Sequence, residues 1–200
     1  MIWSTDAYSP SGLAADEAIV PWADGNHRGE YLLIDEVTPR DTKFNPWENY
    51  YKGIRKANIL LKRINECKEL TDYELRDYMG RAYFLRAYFY FELVKRYGGV
   101  PLMGDDVHIL GDDMEIPRNT FEQCVQYICD ELDDIKDDLR TNPMPDFEQY
   151  AHTPTREACL ALKSRVLLYA ASPLFNERPI EIGNELIGYA SYDRERWNDA

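Results

Sequence analysis

Between Val20 and Tyr31 the chain reads Val-Pro-Trp-Ala-Asp-Gly-Asn-His-Arg-Gly-Glu-Tyr, setting Trp22 and Tyr31 around Asp24, Asn26, His27 and Arg28 with no amphipathic period. Surface loops of such mixed composition often bind ligands. The chemistry suited to this mixture is sugar recognition: an aromatic face stacks on the C–H side of a pyranose while Asp, Asn and Arg hydrogen-bond its hydroxyls. Trp22, Asp24, Asn26, Arg28 and Tyr31 are therefore the candidate ligand-binding residues. The plainer alternative is that Trp22 and Tyr31 only anchor a long loop to the helices beneath.

Other chemistries find little support. The four cysteines, Cys67, Cys124, Cys129 and Cys159, form no CxxC pair and have no histidine at ligand spacing, so they read as free and mostly buried thiols. Asp105-Asp106 and Asp112-Asp113 lack the alternating oxygen ligands of a calcium loop and read as a solvated acidic segment. There is no G-x-S-x-G turn, no phosphate-binding glycine motif and no neighbouring pair among His27, His108 and His152. No catalytic residue, metal or cofactor is assigned. Acid pairs are too numerous for their presence to point to a glycosidase.

The 200 residues carry 23 basic and 36 acidic side chains, a net charge of −13, and an acidic surface repels phosphate backbones. Nucleic acid is thus an improbable partner. Residues 105–148 contain fourteen acids against Arg118, Lys136 and Arg140, so this segment holds most of the deficit. No run approaches the ~20 apolar residues of a spanning helix. The N-terminal residues lack the basic and apolar stretches of a signal peptide. Near the other end, Asp193 and Trp197 read as the opening of a further amphipathic helix, and the chain is expected to be a fragment of a longer protein.

Four long helices must position any loop site. Asn45-Pro46-Trp47-Glu48 opens the first, about 46–66, with Tyr50, Ile54, Ala57, Leu61 and Ile64 on its buried face and Lys52, Arg55, Lys56, Lys62 and Arg63 outside. The box Thr71-Asp72-Tyr73-Glu74 starts a second, ended by Gly98-Gly99 and Pro101. Its stretch from Ala82 to Phe91 is apolar nearly all round and must be covered on more than one side. A third, about 119–140, shows a stripe of Phe121, Cys124, Val125, Ile128, Leu132, Ile135 and Leu139 opposite Asp130, Glu131, Asp133, Asp134, Asp137 and Asp138, which are assigned to solvent. The fourth begins at Thr153-Pro154 and carries Ala158, Ala161, Leu162, Val166, Leu167 and Ala170 before Pro173. Tyr31–Ile34 and Val100–Met103 are the only short extended candidates. The expected fold is all-α, with helical hairpins of tetratricopeptide-like character. Ala87 and Phe91 have the Ala-x-x-x-Phe spacing, but each hairpin exceeds the usual ~34-residue period.

Three stretches together resemble the SusD/RagB-like nutrient-binding outer-membrane lipoproteins. They are Trp47-Glu48-Asn49-Tyr50-Tyr51-Lys52-Gly53-Ile54-Arg55-Lys56-Ala57-Asn58, the run from Ala82 through Tyr97-Gly98-Gly99-Val100-Pro101-Leu102, and Thr153-Pro154-Thr155-Arg156-Glu157-Ala158 through Pro173-Leu174-Phe175-Asn176. The resemblance extends from about Ser11 to the last residue. It implies a surface-exposed lipoprotein of the cell outer membrane that binds oligosaccharide or peptide and passes it to a TonB-dependent (SusC-like) transporter, without being an enzyme. It also implies that residues 1–44 form an irregular loop region and 45–200 a helical-hairpin scaffold, together the N-terminal part of a single SusD-like domain. The lipid-carrying cysteine expected near such a protein's mature N-terminus is missing, because Cys67 is the first cysteine. The family's motif residues, Trp47, Tyr50, Arg86, Tyr90, Tyr97 and Gly98-Gly99, read as fold determinants rather than ligand contacts.

Three functions therefore compete: glycan capture without turnover, a tetratricopeptide-like adaptor whose groove binds peptide, and an all-helical glycoside hydrolase. The last requires two carboxylates converging in one pocket, with the pKa of the acid partner raised.

Overall fold

A computed structural model of the chain describes residues 45–141 and 152–200. The first helix, α1 (Trp47–Arg63), carries Glu48 in its first turn and Lys62 and Arg63 in its last, as the helix dipole favours. Tyr50, Ile54, Ala57 and Leu61 are buried, and a 3₁₀ turn, Ile64–Glu66, extends the same face to Ile64. The five cations assigned to the outer face are all exposed.

Helix α2 (Asp72–Tyr97) begins with a complete capping box: Thr71 Oγ1 accepts from the Glu74 amide, and the Glu74 carboxylate accepts from the Thr71 amide at 2.9 Å. It packs against α1 on one side and against α3 (Phe121–Ile135) and α4 (Arg156–Ala171) on the others. This is the many-sided cover that its apolar circumference requires. Gly53 permits the close approach of α1, since a Cβ there would lie 2.5 Å from the Phe89 ring. Ala87 and Phe91 are both buried in the seam.

The α2 terminus is a fixed point of the fold. Gly98 has φ of 70°, a conformation that glycine adopts without strain, and its N–H closes on the Val94 carbonyl at 2.9 Å. Gly99 N–H then reaches Leu186 O at 2.6 Å, while Arg118 donates to the carbonyls of Tyr97 and Gly99. The incoming segment also presents Glu185 O to the Phe121 amide at 2.8 Å. Beneath these backbone bonds Phe121 stacks on Phe175 at 4.5 Å and meets the edge of Tyr189 at 5.3 Å.

Helix α3 is shorter than its periodicity implied, ending at Ile135 rather than near 140, although Leu139 still reaches the core. Asp133, Asp134, Asp137 and Asp138 crowd the end where the helix dipole is negative, which opposes further turns. Within α3 one assignment is overturned: Glu131 is 8 % exposed and buried, not solvated. It lies at the margin of the apolar stripe, where α2 supplies a cation to meet it. Helix α4 is capped by Thr155 rather than opened by Thr153, and Ala161 faces outward while Cys159, Leu162, Val166 and Ala170 form the buried face. Val100–Met103 runs without helix or strand, and among the described residues there is no strand. A short helix, α5 (Glu195–Asp199), follows Asp193, whose side chain accepts from the Glu195 amide. All of these helices fall in one compact unit, Trp47–Ala200.

Candidate functional site

A buried arginine ties three elements to one loop. Arg86, in the middle of α2, is 2 % exposed, and its guanidinium grips Glu131 of α3 with two donors, Nε reaching Oε2 at 3.1 Å and Nη2 reaching Oε1. Nη1 donates to Asn58 Oδ1 of α1 at 2.7 Å, to Gly104 O at 2.9 Å and to Asp105 at 2.7 Å. Asn58, itself buried, returns two donor bonds of 2.9 Å to the carbonyls of Gly104 and Asp106. The rings of Tyr83 and Tyr127 flank the guanidinium, with centroids at 4.9 and 5.9 Å.

Burial alone would discourage the charge on Arg86, but the Glu131 carboxylate outweighs it and holds the guanidinium protonated more firmly than usual. Burial pushes the Glu131 carboxyl above the usual carboxylate range, with Arg86 pulling the other way. Tyr90 is pushed up to about 12 by burial, and its hydroxyl accepts from the Met103 amide at 2.9 Å. The loop that starts at Met103 is thus fastened at its root by α1 and α2 together.

That loop divides two clefts. The first, about 490 Å³, lies between α2 and α3 and is lined by Arg76, Tyr83 and Asp105 together with Tyr127, Asp130 and Asp134. It contains the raised-pKa carboxyl of Glu131 among other acids, which is the composition a hydrolytic site demands. Both oxygens of Glu131 are nevertheless occupied by Arg86, so this carboxyl is committed to structure.

The second cleft, about 370 Å³, lies between the first half of α1 and the loop, with Trp47, Tyr51 and Ile54 on one side and Met103, Asp106 and Met114 on the other. Trp47 and Tyr51 stand one turn apart with ring centroids 4.8 Å apart, and Trp47 meets Tyr97 edge-on at 5.0 Å. Tyr51 donates its hydroxyl to Pro101 O at 2.8 Å, which fixes the ring. Arg55 donates to His108 O at 3.2 Å across the mouth. Aromatic floor and polar lip are the combination that a sugar needs, placed here by helix spacing rather than by a loop.

The residues singled out in the sequence, Trp22, Asp24, Asn26, Arg28 and Tyr31, lie outside the described residues, as do Tyr31–Ile34 as an extended candidate. Of the motif residues, Tyr50, Arg86, Tyr90 and Gly98-Gly99 are buried as expected, but Trp47 and Tyr97 are only partly so. The role of Trp47 in a cleft was missed. The available signal was the four-residue spacing of Trp47, Tyr51 and Arg55 on one helix row; nothing in the local pattern indicated that Met103–Met114 would close over it. The carboxylates of Asp112 and Asp113 cap backbone amides of their own loop, at Ile109 and Glu115.

The fold and its clefts define a class, a helical scaffold that presents clefts beside one clamped loop. Its family follows from sequence: the family model for SusD-like proteins, described as "Starch-binding associating with outer membrane", matches residues 14–168. The chain belongs to the SusD-like family. SusD-like protein P38 of Formosa agariphila is 28 % identical over 139 residues, covering 69 % of this chain and 26 % of that protein. The crystal structure of a SusD-like protein from Bacteroides fragilis superposes with a TM-score of 0.61 at 37 % identity, covering 68 % of this chain and 26 % of the other. Surface glycan-binding protein A from Bacteroides uniformis shares the fold, with a TM-score of 0.61 at 20 % identity over 88 % of this chain and 43 % of its own. The chain spans about a quarter of the length of the first two relatives.

Proposed function

We propose that this chain supplies the helical platform of a surface-exposed outer-membrane lipoprotein that captures oligosaccharide without cleaving it and passes it to a TonB-dependent transporter. The observation that carries the reading is the family match over residues 14–168, with its description as starch-binding and outer-membrane-associated. Residues 1–44 would form an irregular region in which Trp22, Asp24, Asn26, Arg28 and Tyr31 contribute ligand contacts, and 45–200 the scaffold that holds it. Absence of turnover is supported by the commitment of Glu131 to Arg86, whose guanidinium occupies both oxygens of this buried carboxyl in the acidic cleft.

The full-length protein tests this directly. Calorimetry against a panel of oligosaccharides should give saturable binding, and chromatography of the same mixtures should recover the sugars unchanged. Affinity purification from detergent-solubilised outer membranes should bring down a TonB-dependent transporter. Released sugar would establish the hydrolase reading instead, and binding to peptides alone would favour the adaptor.

A further inference from the structure

We propose that the exposed face of α1 is an electrostatic contact surface for a membrane, its stripe of cations lying against the phosphate headgroups of the outer leaflet. The inference rests on the outer-membrane part of the reading above and adds a contact made by the folded chain itself, separate from any acyl anchor.

Helix α1 carries five cations, Lys52, Arg55, Lys56, Lys62 and Arg63, against one acid, Glu48, in a protein whose net charge is −13. All five are exposed, and their spacing is regular: Lys52, Lys56 and Arg63 recur after four and then seven residues along one row of the helix, with Arg55 and Lys62 seven apart on the row beside it. From Lys52 to Arg63 the row runs for about 16 Å, which suits an extended anionic surface rather than a single ion. The helix dipole accounts for Lys62 and Arg63 in the last turn but not for Lys52, Arg55 and Lys56. Solvation alone would be served as well by glutamate, whose helix propensity is similar.

The protein's own acids do not neutralise the stripe. Lys56 and Lys62 have no hydrogen bond or ion pair among the described residues. Lys52 meets Glu48 at 2.6 Å and Arg63 meets Glu66 at 3.0 Å, but all four side chains are at least 63 % exposed, so a phosphate can replace either partner at little cost. Charges more than about 8 Å away are screened at physiological salt, so the stripe acts locally whatever the sign of the whole molecule. The opposite face of α1 is committed to the core through Tyr50, Ile54 and Leu61, which keeps the helix out of the acyl region and limits contact to the headgroups. Among phosphate-bearing surfaces a membrane is favoured by the description of the family as associating with the outer membrane.

The test uses the full-length protein produced in the cytoplasm, so that no acyl chain contributes, with phosphatidylcholine vesicles prepared with and without lipid A. Wild type should co-sediment with the lipid A vesicles at about 0.1 M salt, remain in solution with the neutral ones, and be released at about 1 M, where the screening length falls to about 3 Å. One cation near a membrane surface accounts for roughly fivefold in binding, so Lys56→Glu combined with Lys62→Glu should weaken it at least about tenfold, with melting temperature and oligosaccharide affinity nearly unchanged. Arg178→Glu combined with Arg194→Glu alters net charge equally at exposed positions off the stripe, and should leave vesicle binding within about twofold of wild type. If both pairs weaken binding alike, net charge and not the α1 face is responsible, and the proposal fails. If wild type ignores the lipid A vesicles, it fails too, and loss of an acidic protein partner in the lysine variant would then make the stripe a protein-docking face. Either failure leaves the glycan reading standing where calorimetry detects oligosaccharide binding; vesicle binding without any oligosaccharide binding sinks that reading and not the stripe.

Discussion

Arg86 and Glu131 are separated by 45 residues in sequence, yet the guanidinium covers both oxygens of the carboxylate in the seam between α2 and α3. Glu131 is buried with this guanidinium as its counter-charge, while Arg86 also meets Asp105 at 2.7 Å. The same guanidinium then reaches Asn58 and the Gly104 carbonyl, so one side chain connects two helix contacts to the root of the loop that walls both clefts.

Removing the cation alone should therefore be severe. Arg86→Met leaves Glu131 buried without a counter-charge, and the expected loss is about 3–5 kcal/mol. Adding Glu131→Leu should recover part of it, because the stranded charge is gone while the bonds to Asn58 and Gly104 remain lost. Urea unfolding of the two variants and wild type measures both numbers; a double variant less stable than Arg86→Met would contradict the account.

Glu92 supplies a pH dependence of definite sign. It is 3 % exposed; burial would raise its pKa, but hydrogen bonds and charge from Lys95 and Arg96 prevail and hold it below the usual carboxylate range. A carboxyl whose pKa is depressed on folding stabilises the protein above its unfolded value, about 4.3, and that contribution disappears as pH falls through the lower folded value. Denaturant unfolding between pH 7 and pH 3 should show stability declining at the acid end. Glu92→Gln should flatten the part of that decline due to this group.

At Gly99 the objection to a side chain is steric, since a Cβ would lie 2.0 Å from Asn119 O, a backbone atom that cannot rotate away. Gly98 adds positive φ to a similar conflict, 2.1 Å from Leu186 O. Gly99→Ala should cost about 3 kcal/mol or more, at the upper end of overpacking penalties. Thermal unfolding checks it, and Gly104→Ala, which meets nothing within 4 Å, is the comparison: it carries only the strain of φ 55° and should cost much less.

The thiols should divide one against three. Cys67 is exposed, whereas Cys124, Cys129 and Cys159 are buried. Burial raises all three of the latter, Cys129 and Cys159 to about 11. Because the thiolate is the reacting species, alkylation at pH 8 followed by mass spectrometry should label Cys67 rapidly and the others only after denaturant is added.

Sequence by itself determined the helices and their buried faces. Tyr50, Ile54, Ala57 and Leu61 on α1, and the stripe from Phe121 to Leu139, are periodic signals that depend only on a residue's neighbours one turn away. The capping box at Thr71 and the stop at Gly98 are equally local. The family was also legible, in the runs around Trp47, Ala82–Leu102 and Thr153–Asn176, and the match over residues 14–168 agrees.

Only the tertiary structure decided which acid is buried and where the clefts lie. Glu131 stands beside solvent-facing aspartates with nothing in its own helix to distinguish it; its burial follows from an arginine 45 residues earlier. The Trp47 cleft likewise joins a helix row, readable at four-residue spacing, to a loop about fifty residues later whose path is fixed by Asn58, Arg86 and Tyr90. Periodicity reports which face of a helix avoids water, because that depends on short-range geometry; it carries no information on which distant charge or carbonyl arrives to meet the exceptions.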